Sequence, residues 1–471
     1  MKNFRLVHAG SVAAFIIVGF LLAGCNGVPT KSERAARQQI QSVTATYRPN
    51  GQKPALPLLT AESSLSNYVL YAMLNQPKVE AAYYDWAASV ERITIARSWP
   101  DPQFTFQMDI QNAVTSVMPG LMGSIPWPSK LRVSAEIASA ESQAKYTTFQ
   151  SSVLETAFEV KRAYYQLYFL QEQLRVNRET LRLLGQLEQL ARAQNEVGKV
   201  TLQDVLRAQI EQDRLRTEIA NLEDSRSSLV AQFKGALGMK TAEPPPPLPR
   251  HLESTSPELS SDKLLATALS RNQRLKAIEA EVRAAEASIL LARKSRLPDF
   301  NLGFMADAKT DPTLYRLPGN PGTVSLPIWR DKLAAQIAEA QASKHSTEAR
   351  LSSEQIGLAV DFAQRSYLYR EATRKLALLK GQLLPKARQS LEVARSGYLA
   401  GQIDFFNLTD SQRTLLGFEL DQVEAETQRQ VVLAELSLII EGMSPAGRAM
   451  AATPMAARGS SPTKNPNPGG M

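Results

Sequence analysis

The sequence predicts a mainly α-helical chain with a small β part, built from one unit used twice. Three observations carry this expectation. Residue pairs recur in order through the two halves at a near-constant offset, and proline is absent from very long amphipathic stretches. In addition, short segments alternate apolar with polar residues.

The first twenty-five residues read as an address. Lys2 and Arg5 form a positive n-region, and Val12 to Leu22 an apolar h-region too short to span a bilayer comfortably. Leu22-Ala23-Gly24-Cys25 resembles a bacterial lipobox, in which the cysteine is lipidated and becomes the new N-terminus. The alternative is an ordinary signal peptide with a chance cysteine. Asn26 follows rather than the Asp of inner-membrane retention, which favours outer-membrane sorting. Residues 1–24 are therefore expected to be a lipoprotein signal peptide. Residues 25–60, with Pro29, Pro49, Pro54 and Pro57, are expected to be a lipidated segment running extended. Acyl chains on Cys25 would anchor the chain without a spanning helix. Cys25 is the only cysteine, so no intrachain disulfide can form. No later stretch approaches eighteen consecutive apolar residues, which argues against a transmembrane helix after Cys25.

Duplication organises the rest. Asn75-Gln76 recurs as Asn272-Gln273, Ala96-Arg97 as Ala292-Arg293, and Pro102-Gln103-Phe104 as Pro298-Asp299-Phe300. Ser124-Ile125-Pro126-Trp127 is echoed by Ser325-Leu326-Pro327-Ile328-Trp329, followed by Lys130 and Lys332. Gly198 matches Gly401, Gln209 matches Gln412, and Gly238-Met239 matches Gly442-Met443. The offset drifts only from about 196 to 204 residues. The first repeat is expected over 61–243 and the second over 261–443, joined by a stiff linker over 244–260 that opens on four prolines. Residues 444–471, rich in Gly, Pro, Ser and Ala, are expected to be a disordered tail.

Each repeat reads as helix, two strands, very long helix, turn, helix. First helices are expected from about Glu62 to Ser98 and from about Ser261 to Arg296, each stopping before a proline-bearing turn. No proline lies between Pro128 and Pro244, and only Pro385 between Pro327 and Pro445. Lys130 to Gly198 could make a helix of roughly 100 Å at 1.5 Å per residue. Val153, Ala157, Val160, Tyr164, Leu167, Leu174 and Leu181 follow coiled-coil spacing, with missing beats at Gln171 and Arg178. Leu215, Ile219, Leu222, Leu229 and Phe233 keep the rhythm on the return helix. The helices of each pair should lie antiparallel, turning near Gly198 and Gly401.

Phe104, Phe106, Met108 and Ile110 alternate with polar residues, as Phe300, Leu302, Phe304 and Ala306 do against Asn301, Gly303, Met305 and Asp307. Return strands are expected at about Val114 to Ile125 and about Gly322 to Ile328. Apolar-out alternation suits a transmembrane strand, though a soluble sandwich strand shows it too. Four strands cannot close a barrel in lipid, where every backbone group needs a partner. Three copies give twelve strands, the smallest ring above the eight-strand minimum.

With the lipobox, the duplicated unit and the paired glycine turns, the chain resembles the TolC-type outer-membrane efflux proteins, from about Leu65 to Met443. The short stretches Pro100-Asp101-Pro102 and Pro126-Trp127-Pro128-Ser129-Lys130 are similar to that family's heavy-metal efflux branch. The resemblance implies a homotrimer with a twelve-stranded β-barrel in the outer membrane and an α-helical barrel in the periplasm. It also implies a periplasmic adaptor and an inner-membrane pump as partners, with the tips at Gly198 and Gly401 meeting the adaptor. No cofactor is implied. Asp204 matches a family position that pairs with a tyrosine of the other hairpin, and Tyr398 matches that tyrosine. Asn407 and Asp410 match two positions that form acidic rings at a periplasmic gate. Asn407 departs from the acidic pattern, and Ile403 stands where a gate-locking arginine is expected. Asp204 and Asp410 could equally be solvated residues near helix starts, where negative charge suits the dipole.

An enzyme is not expected. His8, His251 and His345 are the only histidines, and no phosphate loop or nucleophile triad emerges. No His/Cys cluster offers metal ligands. The net charge of +8 alternates with acidic residues along helices rather than forming a nucleic-acid-binding stripe. The competing class is a periplasmic coiled-coil adaptor or structural lipoprotein without a pore.

Overall fold

The computed structural model describes residues 29–60, 62–110, 114–248, 261–305, 308–309 and 322–440. The signal peptide with Cys25, the linker beyond residue 248, Ala306 and Asp307, Gly442-Met443 and the tail over 444–471 lie outside them. No helix among the described residues is long and apolar enough to cross a membrane. The chain divides into two compact units. One comprises Met1–Gln39, Ala88–Ser142 and Val282–His345, and the other Ile40–Ala87, Gln143–Glu281 and Ser346–Met471.

The segment expected to run extended forms a helix instead, α1 (Lys31–Tyr47). Its prolines flank the helix rather than interrupt it, and the Thr30 hydroxyl accepts the Glu33 backbone N–H at 3.1 Å. In the first unit Glu33 is fully buried and accepts from Arg97 Nε (2.6 Å), Thr94 Oγ1 (2.7 Å) and Arg37 Nε (3.3 Å). Burial pushes its carboxyl up, but these three hydrogen bonds outweigh burial and hold it below the ordinary value. In the second unit Tyr47 packs its ring 5.2 Å from Tyr83 and 5.6 Å from Phe149.

Each expected first helix is broken in two: α2 (Leu65–Asn75) and α3 (Pro77–Arg97), then α6 (Ser261–Arg271) and α7 (Gln273–Lys294). The breaks fall on the repeated Asn-Gln pair. Pro77 disfavours helical geometry at Gln76, which is extended (φ −68°, ψ 120°). In the second repeat the Asn272 side chain accepts the N–H groups of Arg274 and Leu275 at 2.9 and 3.3 Å, starting a new helix. The amides also reach far along the chain. Asn75 Nδ2 donates to the carbonyls of Leu237 and Gly238, Gln76 Nε2 to those of Gly235 and Ala236, and Asn272 Nδ2 to that of Ile439. These carbonyls sit at the ends of each repeat's last helix, where no intrahelical donor remains.

The long helices are α4 (Pro128–Glu196) and α5 (Leu202–Ala236) in the first repeat. The second has α8 (Arg330–Leu378), α9 (Leu384–Leu399) and α10 (Phe405–Ile439). A π-turn at Leu379–Leu383 joins α8 to α9. Pro385, at the head of α9, lacks an N–H and cannot sustain regular i→i−4 bonding through that turn. In the second unit Ala157, Val160, Tyr164, Leu167 and Leu174 are buried as the heptad spacing requires, with Leu215, Ile219 and Phe233. Leu170, outside that spacing, is buried as well, because α4 packs more than one neighbour.

In the first unit, among the described residues, the strands form one antiparallel sheet. They are β1 (Gln103–Ile110), β2 (Val114–Ile125), β3 (Asp299–Met305), β4 (Ala308–Lys309) and β5 (Thr323–Ser325). The order is β1-β2-β3-β5, and β4 continues β3's pairing along β2. β5 is shorter than expected, at three residues, because Leu326-Pro327 ends it: proline has no N–H to give a ladder.

Candidate functional site

Two regions answer to the sequence-derived site: the hairpin tips and the sheet. At the tips, Gly198 and Gly401 hold φ +72° and +74°, the left-handed conformation that favours glycine. Both close the preceding helix in the same way. Lys199 N–H reaches Gln194 O at 2.9 Å and Gly198 N–H reaches Asn195 O at 2.9 Å. Gln402 N–H reaches Gly397 O at 2.8 Å and Gly401 N–H reaches Tyr398 O at 3.1 Å. These are paired Schellman closures, 6→1 with 5→2.

The helices leaving the tips are capped by swapped residues. In the first repeat Asp204 Oδ2 accepts the Thr201 backbone N–H at 3.3 Å and its hydroxyl at 3.2 Å, completing a capping box. In the second repeat the acid moves to the cap itself: Asp404 Oδ1 accepts the Asn407 N–H at 2.9 Å. Asn407 therefore stands where the repeat places Asp204. Asp404 escaped the sequence reading, although aligning the two glycine turns would have exposed it.

Tyr398 is buried among Ala394, Phe405 and Leu408 of its own hairpin and Ala191, Val205 and Ala208 of the other. Its ring stands 5.6 Å from that of Phe405. The hydroxyl has no hydrogen-bond partner among the described residues. Burial, and after it the Asp204 carboxylate, push the phenol up to about 12. Asp204 and Tyr398 are thus electrostatic neighbours without being hydrogen-bonded. Asn407 and Asp410 are both exposed. Ile403 fills the space above Gly397, where a Cβ would lie 2.7 Å from Ile403 Cδ1. Three residues beyond Asp410, Arg413 Nη2 reaches Glu211 Oε1 at 2.6 Å and ties α10 to α5. Leu202, Leu206 and Ile210, spaced by four on α5, remain exposed.

In the sheet, cross-strand partners share a face. The register pairs Phe104 with Leu121, Leu121 with Phe304, Gly123 with Leu302, Ile125 with Phe300, and Phe300 with Val324. One face is therefore apolar across all four strand positions. The other carries Gln103, Thr105, Ser124, Asn301 and Thr323, with Met122 opposite Gln103 among them. Phe104, Phe106, Leu121, Leu302 and Val324 are exposed large apolar side chains. Close strand approach is built in: a Cβ at Gly322 would lie 2.6 Å from Leu302 Cδ2. At the sheet's helical end, Lys130 Nζ donates to both Asp299 oxygens (2.9 and 2.8 Å) and to Leu297 O, while the Trp127 N–H donates to Asp299 Oδ1. Each repeat contributes one side of that junction.

A sequence profile of the outer membrane efflux protein family matches residues 71–239 and again residues 264–441. The chain belongs to the outer membrane efflux protein family. The double match coincides with the internal duplication of this TolC-type protein. It is 26% identical over 270 residues to the cobalt-zinc-cadmium resistance protein CzcC of Cupriavidus metallidurans, covering 55% of this chain and 60% of CzcC. It is 24% identical to the outer membrane efflux protein BepC of Brucella suis, covering 81% and 83%. A membrane protein of Pseudomonas aeruginosa superposes with a TM-score of 0.70 at 19% identity, over 84% of this chain and 98% of that one. The matching family is one of outer membrane efflux proteins and not of enzymes.

Proposed function

We propose that three copies of this chain close into an outer-membrane duct that receives cargo from an inner-membrane pump through a periplasmic adaptor. The observation that supports it most is the sheet: an apolar face, an opposite face that is mostly polar, and edges at β1 and β5 that are open among the described residues. An open edge in lipid leaves backbone groups without partners, and pairing β1 of one copy with β5 of the next removes both edges. The twelve residues of β2 span roughly 40 Å at 3.4 Å per residue, enough to cross the apolar layer at a tilt of 35–45°. Cys25 carries the acyl chains that hold the amino terminus to the same membrane. The kinship with a cobalt-zinc-cadmium resistance protein favours divalent metal ions as cargo.

The tips at Gly198 and Gly401 meet the adaptor, and the residues beyond them gate the duct. Tyr398, whose buried hydroxyl has no hydrogen-bond partner among the described residues, and Asp204, the carboxylate of the other hairpin that after burial raises its pKa, are the pair assigned to the gate. Three Asp410 carboxylates around one axis would hold multivalent cations at the mouth, with Asn407 supplying a neutral ring. The test is fractionation of cells making the full chain. The expected result is heat-modifiable trimers in the outer membrane, and lower cobalt, zinc and cadmium tolerance when the gene is deleted. A soluble monomer would contradict the duct, and unchanged tolerance would remove metal as the cargo.

A further inference from the structure

The four strand ends that adjoin helices lie at one end of the sheet. The register Gln103↔Met122, Ile125↔Phe300 and Asp299↔Ser325 brings them together. Three of the chain's four tryptophans stand there: Trp99 between α3 and β1, Trp127 between β2 and α4, and Trp329 immediately before α8. They are 50%, 38% and 72% exposed, whereas Trp86 is 1% exposed. A buried tryptophan serves packing, but three exposed ones at the same end of an apolar face do not. Trp127 belongs to that face, its ring 6.1 Å from Phe300. Tryptophan at the rim of an apolar band has its lowest free energy at a bilayer interface, where the ring is dry and the N–H wet.

Charge distinguishes what lies beyond the rim. Segments 293–296 and 330–332 carry five cations and one carboxylate, Asp331. Other basic residues near the junction are engaged internally: Arg97 by Glu33 and Lys130 by Asp299. Arg296, Arg330 and Lys332 are exposed, and none is ion-paired to a carboxylate among the described residues. Cations that merely solubilised a helix would alternate with acids, as Arg175, Arg178 and Arg182 do with Glu172, Glu223 and Glu179. Here they gather beside exposed aromatics.

We propose that these junctions form a headgroup-binding collar. Trp99, Trp127 and Trp329 seat it at the bilayer interface, while Arg296, Arg330 and Lys332 bind the phosphodiesters of anionic glycerophospholipids in the leaflet on the helical side. The collar rests on the reading of the sheet as a lipid-facing wall. Arginine suits the task because its planar fork meets phosphate oxygens two at a time.

The experiment uses the full chain with Trp329 as its only tryptophan (Trp86→Phe, Trp99→Phe, Trp127→Phe), reconstituted in bilayers of phosphatidylethanolamine and phosphatidylglycerol. One lipid or the other is brominated, and quenching of Trp329 reports which lies beside it. Brominated phosphatidylglycerol should quench at about fivefold lower mole fraction, the factor expected for one engaged basic side chain. The variant Arg296→Ala, Arg330→Ala, Lys332→Ala should bring the ratio to one while quenching by phosphatidylethanolamine persists. High salt on the chain with its basic residues intact should do the same. Equal quenching in that chain, or a ratio untouched by both the variant and salt, overturns the collar. Absence of quenching by either lipid in a chain that still conducts ions means another copy or a protein partner covers the junction, which also overturns it. Absence of both quenching and conductance refutes the lipid-facing sheet itself.

Discussion

Gly198 and Gly238 share a backbone conformation, with φ +72° and +70°, but differ in their surroundings. A Cβ at Gly198 would meet nothing within 4 Å, whereas at Gly238 it would lie 2.8 Å from Gln76 Cα and 3.0 Å from Asn75 O. Gly198→Ala should therefore cost only the left-handed backbone, about 1–2 kcal/mol. Gly238→Ala should cost a further 1–3 kcal/mol, roughly, because the clash is with backbone that cannot rotate away. Urea unfolding of both variants checks this, and equal losses would mean that the Asn75-Gln76 junction is looser than described. The glycines were legible as repeat markers, since pattern alone pairs Gly198 with Gly401. The role of the Asn-Gln pair was not. Its partners lie on the last helix of each repeat, and a hydrogen bond spanning 162 or 167 residues leaves no periodic trace. Asp204 and Asp404 show a related limit: only Asp204 stands out as an acid near a helix start, at the third helical position, while Asp404, at the cap of the matching helix, does not.

The coiled-coil helices were the elements most legible in the sequence, because their partners recur every third or fourth residue. Polar clasps between them were less so. Glu188 on α4 accepts from Gln209 Nε2 (2.9 Å), Arg192 Nη2 (2.8 Å) and Gln212 Nε2 (3.2 Å), and the two glutamines lie on α5. These hydrogen bonds, that of Gln209 foremost, hold its carboxyl at about 2, well below the ordinary 4.5. A depressed carboxylate contributes stability that is complete above the unfolded value. It is lost as pH falls from about 4.5 toward about 2. Glu188→Gln should flatten the acid limb of a thermal-stability profile in that window, and an unchanged limb would locate the acid sensitivity elsewhere. α1 was misread because its flanking prolines outweighed a Thr30-x-x-Glu33 helix-start signal that was present. For the sheet, the alternation announced strands but could not choose between lipid and a soluble core. Leu121→Arg, on the apolar face and four residues from the β2 end, should cost insertion up to about 2–4 kcal/mol, whereas Thr105→Lys, at similar depth on the opposite face, should insert normally. Folding yields into vesicles compare the two, and equal yields would deny that the faces differ.

For the whole molecule, duplication supplies two hairpin tips and two strand pairs, and among the described residues the sheet they build ends in open edges at β1 and β5. On the proposed reading a single chain carries part of a barrel wall, and copies of itself close it. Family membership does not single out a cargo, since the cobalt-zinc-cadmium resistance protein and the outer membrane efflux protein BepC are similarly distant, at 26% and 24% identity. The expected gate belongs to this scale too, because rings of Asp410 exist only in an assembly. Planar-bilayer recording of the purified, full-length protein tests the account most directly. It predicts discrete single-channel current steps, blocked from the helical side by multivalent cations, with the block weakened in Asp410→Ala. Trimers that insert into the bilayer and pass no current, in the parent and in Asp410→Ala alike, would contradict it.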